Sequence, residues 1–207
     1  MKTLQKVLAI IAILILVTQT VRHVYLRWLQ PRESVLDKYE QPLKEDIKGA
    51  QSLDDLVRKY DEVYKKVEAE KADKSKPSRN YLERNETEPY KSEIALKEAI
   101  RSWESKSKEL YALRFYWTCG LIFLILSAVF NKKFNRWFGL TLMIAAFSEM
   151  IYWTSPTFIG PETKEFDKLL TYKVIFSLLS LFLLILVVWL ERIFGNGKEQ
   201  TEVSKTP

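Results

Sequence analysis

Four long apolar runs constrain this chain more than any other feature. Val7 to Val17 is unbroken, and the run extends from Leu4 to Val21 if Lys6 and the polar residues Gln5, Thr18, Gln19 and Thr20 are admitted. Phe115 to Phe130 is interrupted only by Thr118, Cys119, Gly120 and Ser127 among its aliphatic and aromatic residues. Trp137 to Trp153 contains a single charge, Glu149, and Val174 to Leu190 contains two serines and no charge. A helix crossing a hydrocarbon layer of ~30 Å needs ~17–25 mostly apolar residues. All four runs fit, at the short end. The mean hydropathy of −0.13 resembles that of a soluble protein only because a charged segment between the first two runs offsets them. The expected fold class is therefore all-α: four transmembrane helices, with an extracytoplasmic helical insertion (a bundle or coiled-coil hairpin) between the first and second.

The short stretch Asn131-Lys-Lys-Phe-Asn-Arg-Trp137 fixes the expected orientation. Short loops rich in Lys and Arg stay on the cytoplasmic side of a membrane. Lys132, Lys133 and Arg136 thus place this loop inside, and alternation places both termini inside with it. Arg22 and Arg27 argue against that for the first span; Lys2, Lys6, the basic loop and the slightly acidic stretch 155–171 argue for it. Val7–Val17 has the length of a signal-peptide core, but Val17-Thr-Gln-Thr-Val-Arg-His23 offers no small-x-small cleavage site, which predicts an uncleaved signal-anchor. The expected plan is a signal-anchor helix over 1–26, an extracytoplasmic helical domain over 27–112 and a second span over 113–130. A basic cytoplasmic loop over 131–136, a third span over 137–154 and an outer loop over 155–171 follow. A fourth span over 172–194 and a disordered cytoplasmic tail over 195–207 complete it. The localisation that fits is a bacterial inner membrane with a periplasmic domain.

Tyr and Trp cluster at the ends of the runs, where an apolar ring meets water through its O–H or N–H. Tyr25, Trp28, Tyr111, Tyr116, Tyr152, Trp153 and Tyr172 would line one interface, and Trp137 and Trp189 the other. The net charge of +6 has the same origin. Between Trp28 and Ala112 there are 18 Lys and Arg against 19 Asp and Glu, so the excess flanks the spans, where anionic headgroups attract it. No basic stripe of the kind nucleic acids require appears on the soluble segment. The single cysteine, Cys119, lies inside the second run, so no disulfide framework exists.

The segment 31–112 reads as helical. Ser52 precedes acids at Asp54 and Asp55 and marks a helix start. Leu53, Leu56, Tyr60, Val63 and Val67 then recur at 3-4-3-4 spacing, widened by Val57 and Tyr64. Leu36, Tyr39, Leu43 and Ile47 form an earlier stripe in which Pro42 marks a kink or restart. Leu96, Ile100, Trp103 and Leu110 form a later one, and no Gly or Pro follows it before Gly120, which predicts one helix from about Tyr90 to Phe130. Residues 71–80 lose all periodicity and predict a polar turn. Together the stripes predict a small helical interface built on Leu53, Leu56, Tyr60, Val63, Val67, Leu96, Ile100 and Trp103.

The sequence contains no phosphate-binding loop, no zinc-protease motif, no Cys-x-x-Cys and no nucleophile elbow, and its single histidine is His23. No catalytic residue, metal ligand or cofactor site is expected. The expectation is a non-enzymatic membrane accessory, assembly or scaffold subunit. Its partners are the lipid bilayer and another membrane or extracytoplasmic protein, or a second copy of itself. The alternatives are a sensor passing an outer signal to another membrane protein, or a subunit of an oligomeric channel or transporter. The sensor layout resembles the input half of bacterial chemoreceptors and sensor kinases in general arrangement, with no shared motif. Glu149 stands alone as an acid deep in an apolar run. An isolated carboxylate there is costly, so an intramembrane charge clasp is expected with Arg114 first, Lys173 second, and Arg22 and His23 nearby.

Overall fold

The computed structural model describes residues 2–29, 41–73, 87–133, 136–156 and 163–203, and among these every regular element is a helix. α1 (Lys2–Val24) continues into a π-helical turn over Tyr25–Leu29. α2 (Gln41–Gly49), α3 (Leu53–Ala72), α4 (Tyr90–Lys133), α5 (Arg136–Trp153) and α6 (Lys164–Val203) follow. Three of them are long and apolar enough to cross a membrane, over Gln5–Leu29, Tyr90–Asn131 and Lys164–Leu190. The helix expected as the third span, apolar over Trp137–Trp153, is shorter. At ~1.5 Å per residue its 18 residues reach about 27 Å.

The chain divides into two compact units. One holds Met1–Leu29, Ala112–Pro156 and Thr171–Pro207, and contains the greater part of all four apolar runs. Its core is Leu16, Trp117, Phe147, Met150 and Leu184, with Met143, Leu121 and Phe176 packed on it. α4 and α5 approach closely here because both are locally bare of side chain. A Cβ added at Gly120 would sit 3.0 Å from the Ala146 carbonyl oxygen, and one at Gly139 would sit 2.8 Å from the Asn131 backbone nitrogen. Small residues that let backbones approach are the usual contact in membrane helix pairs.

The other unit holds Gln30–Tyr111 and Thr157–Leu170. α3 starts where the sequence places it. Ser52 accepts a hydrogen bond from the Asp55 backbone N–H, and the Asp55 carboxylate accepts from the Ser52 N–H in return, closing a capping box. The Gln51 N–H also donates to that carboxylate and, with the Ser52 contacts, holds the Asp55 carboxyl below its ordinary value. Pro42 falls in the first turn of α2, where its missing N–H costs nothing, so it is a start rather than a kink. Ile47, Ala50, Leu56, Ala95, Leu96, Ala99 and Trp103 form one buried cluster, with Leu43, Leu53, Tyr60, Val63 and Ile100 against it. The three stripes therefore meet. Val67 is also fully buried, and Leu36 and Tyr39 lie outside the described residues.

Two boundaries differ from expectation. The stretch 155–171, expected as an outer loop, already turns helical at Lys164. Phe166, Leu169 and Leu170 are buried, and Lys164 donates to the Gln51 side chain, so the first two turns of α6 belong to the second unit. Acidic Glu165 and Asp167 in the first turn suit a helix start. The stretch from Gly195, expected as disordered tail, continues α6 to Val203. Extending an existing helix avoids the nucleation penalty that an isolated polar segment would face.

Candidate functional site

The most polar part of the first unit surrounds the end of α5. A helix leaves its last four carbonyls without intrahelical donors, and in lipid such groups need partners from the protein. Here α1 and the chain just beyond α5 supply partners, and α1 and α6 bond the two carbonyls that follow. Gln19 of α1 donates its amide to the Ile151 carbonyl at 3.3 Å. One turn further along α1, His23 donates from Nε2 to the Thr154 carbonyl at 2.7 Å. Lys173 of α6 donates from Nζ to the Ser155 carbonyl at 2.6 Å. The Thr154 hydroxyl is 2.8 Å from the Met150 carbonyl, 3.2 Å from that of Ile151 and 3.2 Å from Gln19 Oε1. The backbone N–H groups of Thr154 and Ser155 close onto Met150 and Tyr152.

This cap is dry. His23 and Thr154 are wholly buried, Lys173 is 2% exposed and Gln19 is 9% exposed. A cationic ammonium at a helix C-terminus also meets the negative end of the helix dipole. Deeper in the same unit, the Trp117 indole N–H donates to Ser180, which donates in turn to the Phe176 carbonyl. At the opposite end of α5, Ser127 of α4 donates to the Gly139 carbonyl at 2.7 Å. The buried His23 Nδ1 and Ser177 Oγ make no hydrogen bond among the described residues.

Among the described residues, Glu149 forms no ion pair with the basic residues expected to clasp it. Glu149 accepts from the Trp153 indole N–H, one turn along its own helix, at 3.0 Å. Arg114 lies over the Tyr172 ring, its guanidinium carbon 4.2 Å from the ring centre. Lys173 and His23 serve the Ser155 and Thr154 carbonyls just beyond α5, and Arg22 is exposed. The physical reason is that a helix end presents several oxygens together, whereas Glu149 flanks the buried stripe of α5 formed by Ala146, Phe147 and Met150. Two of the expected residues, His23 and Lys173, thus sit at a site of another kind. Gln19 and Thr154 were missed. Gln19 and His23 at i and i+4 on a helix bordered by apolar residues was the signal available.

The expected topology residues Lys132, Lys133 and Arg136 fall at the ends of α4 and α5, and their side chains lie outside those described. Cys119 is a free, partly buried thiol on α4. In the second unit, Tyr60 donates to Glu93 at 3.4 Å and stacks on Tyr64 with ring centres 5.9 Å apart. Burial, reinforced by the nearby Glu93 charge, pushes the Tyr60 phenol above its ordinary value. Among the described residues, no three His, Cys, Asp or Glu side chains gather where they could hold a metal ion.

No family model, no curated protein and no solved structure matches this chain.

Proposed function

We propose that this chain is a non-enzymatic membrane accessory or assembly subunit that holds a partner protein with the helices of its second unit. In this reading α5 completes four spans, with both termini and the loop at Lys132, Lys133 and Arg136 cytoplasmic and residues 27–112 outside. The polar cap supports a spanning α5. Its helix is slightly shorter than the hydrocarbon layer, and Gln19, His23 and Lys173 bond the Ile151, Thr154 and Ser155 carbonyls at and just beyond its end.

One observation carries the partner reading: α3 has more apolar surface than the described residues cover. Leu56 and Val67 are buried and Leu53, Tyr60 and Val63 pack on the cluster, yet Val57 and Tyr64 remain 38% and 41% exposed. They are seven residues apart, the spacing at which one helix meets another. The occupant proposed is a helix of a second protein. A second reading, a sensor, draws on α4, which is helical without interruption from Tyr90 in one unit to Lys133 in the other.

Photo-crosslinking residues placed at Val57 and Tyr64, and at Asp61 and Lys65 as controls, test the partner reading in native membranes. The expected result is one adduct of defined mass from the first pair and none from the second. Equal adducts from all four positions, or none, would overturn it. A cysteine at Lys66, with Cys119 changed to Ala, should react with an impermeant thiol reagent from outside, and one at Asn135 should not. The reverse pattern would overturn the orientation.

A further inference from the structure

We infer that Glu149 is a docking point for a basic side chain on a transmembrane helix of the partner protein, an inference that rests on the assembly reading above. Glu149 lies in the apolar part of α5, one turn from its end, and is only partly buried by its own chain. The carboxylate takes one hydrogen bond, from the neutral Trp153 indole to Oε2, and forms no ion pair among the described residues. Among the described residues, none of the four basic side chains expected near it pairs with it: Arg22 is exposed, and the other three are engaged elsewhere. Arg114 is stacked on Tyr172, Lys173 donates to the Ser155 carbonyl, and His23 donates to the Thr154 carbonyl. An ionised carboxylate without a cation is strongly disfavoured in hydrocarbon, and acids in membrane spans pair with one another, with cations or with backbone.

The surroundings define the complement. The Trp153 ring that binds Glu149 is stacked on Tyr116 of α4, with centres 4.4 Å apart and planes within 2°. Tyr116 and Tyr152 on either side are 40% and 67% exposed. A carboxylate beside an open aromatic face suits a guanidinium best. The guanidinium forks onto the two carboxylate oxygens and packs flat on a ring, and an ammonium fits less well. The occupant is thus a span carrying Arg, or second Lys, about one turn inside the same membrane face. A free lipid amine does not offer the second prong.

The test uses the full-length chain, fluorescently labelled, in phosphatidylcholine vesicles. The probe is a synthetic Leu/Ala transmembrane peptide with one Arg about four residues inside its terminal Trp anchors. An otherwise identical peptide with Leu in place of Arg is the control. Energy transfer should show the Arg peptide associating at least tenfold more tightly than the Leu peptide, and Glu149→Gln should abolish that difference. If the two peptides associate equally with the wild-type chain, the inference is overturned, and this comparison needs no variant to fold. An Arg preference that survives Glu149→Gln overturns it as well. Self-association in the absence of peptide that Glu149→Gln abolishes would assign the basic residue to a second copy and overturn the partner assignment. Crosslinking from Val57 and Tyr64 in the Glu149→Gln chain separates the two readings. Adducts without any Arg preference leave the outer-helix reading standing and this one refuted; an Arg preference without adducts does the reverse.

Discussion

His23 Nε2 and the carbonyl oxygen of Thr154 lie 2.7 Å apart across 131 residues of chain, tying α1 to the end of α5 in a site sealed from water. Removing the donor leaves a buried carbonyl without its partner, a loss of about 1–3 kcal/mol. His23→Leu is therefore expected to lower the melting temperature and folded yield of the purified protein in mild detergent. His23→Gln, which keeps an N–H at similar reach, should recover part of the loss. Equal stability of wild type and His23→Leu would show that the cap does not hold α5 in place.

Gly120 offers a sharper contest between two effects. Ala is intrinsically better than Gly inside a helix by about 0.5–1 kcal/mol. Against this, the new methyl would lie 3.0 Å from the Ala146 carbonyl oxygen and 3.0 Å from Met150 Cγ. Met150 can shift, but the backbone oxygen moves only with α5, and forced overpacking costs about 1–3 kcal/mol. Gly120→Ala should lower the detergent melting temperature modestly and Gly120→Leu severely. A stabilised Gly120→Ala protein would mean that propensity outweighs contact.

The Ser52–Asp55 box makes a local prediction and a pH prediction. Ser52→Ala removes an N-cap worth about 1 kcal/mol, so amide exchange in the first turn of α3 should speed up in the full-length protein. Asp55 is held below its ordinary value in the folded chain, first by the Gln51 N–H. A depressed carboxyl contributes stability above its unfolded value, and that contribution fades as pH falls through the lower folded value. The exchange difference between wild type and Asp55→Asn should be full at neutral pH and shrink below about pH 4. A difference that persists unchanged at low pH would remove Asp55 ionisation from the cause.

The sequence made some features legible because they repeat and others illegible because they are single contacts. The stripe Leu53–Leu56–Tyr60–Val63 and its partners Leu96, Ile100 and Trp103 were readable from spacing, and they meet in one cluster. Ala50, Ala95 and Ala99 complete that cluster but carry too little apolar surface to register as a stripe. The cap on α5 was half readable. His23 and Lys173 drew attention as charge-bearing groups near spans, but their acceptors are backbone carbonyls, which every residue has and no sequence marks. Glu149 and Arg114 are opposite charges at similar depth along their runs, which is all that pairs them in the sequence. Depth along a span does not fix the side of the helix, and the residue facing Arg114 is Tyr172.

The early start of α6 yields the last prediction. Spacing within 155–171 was too short to show a stripe, yet Phe166 and Leu169 are buried and Lys106 of α4 lies 5.9 Å from the Phe166 ring centre. If these turns are part of the second unit, damaging them should loosen it at a distance in sequence. Leu169→Asp places a charge at a fully buried position, a change that destabilises strongly unless the carboxylate finds a partner. Leu56→Asp does the same inside the three-stripe cluster. Both substitutions should accelerate amide exchange along α3 of the full-length protein in detergent, while exchange in the apolar part of α1 stays slow. Were Leu56→Asp to loosen α3 and Leu169→Asp to leave it unchanged, the second unit would be held by α2, α3 and α4 without the start of α6.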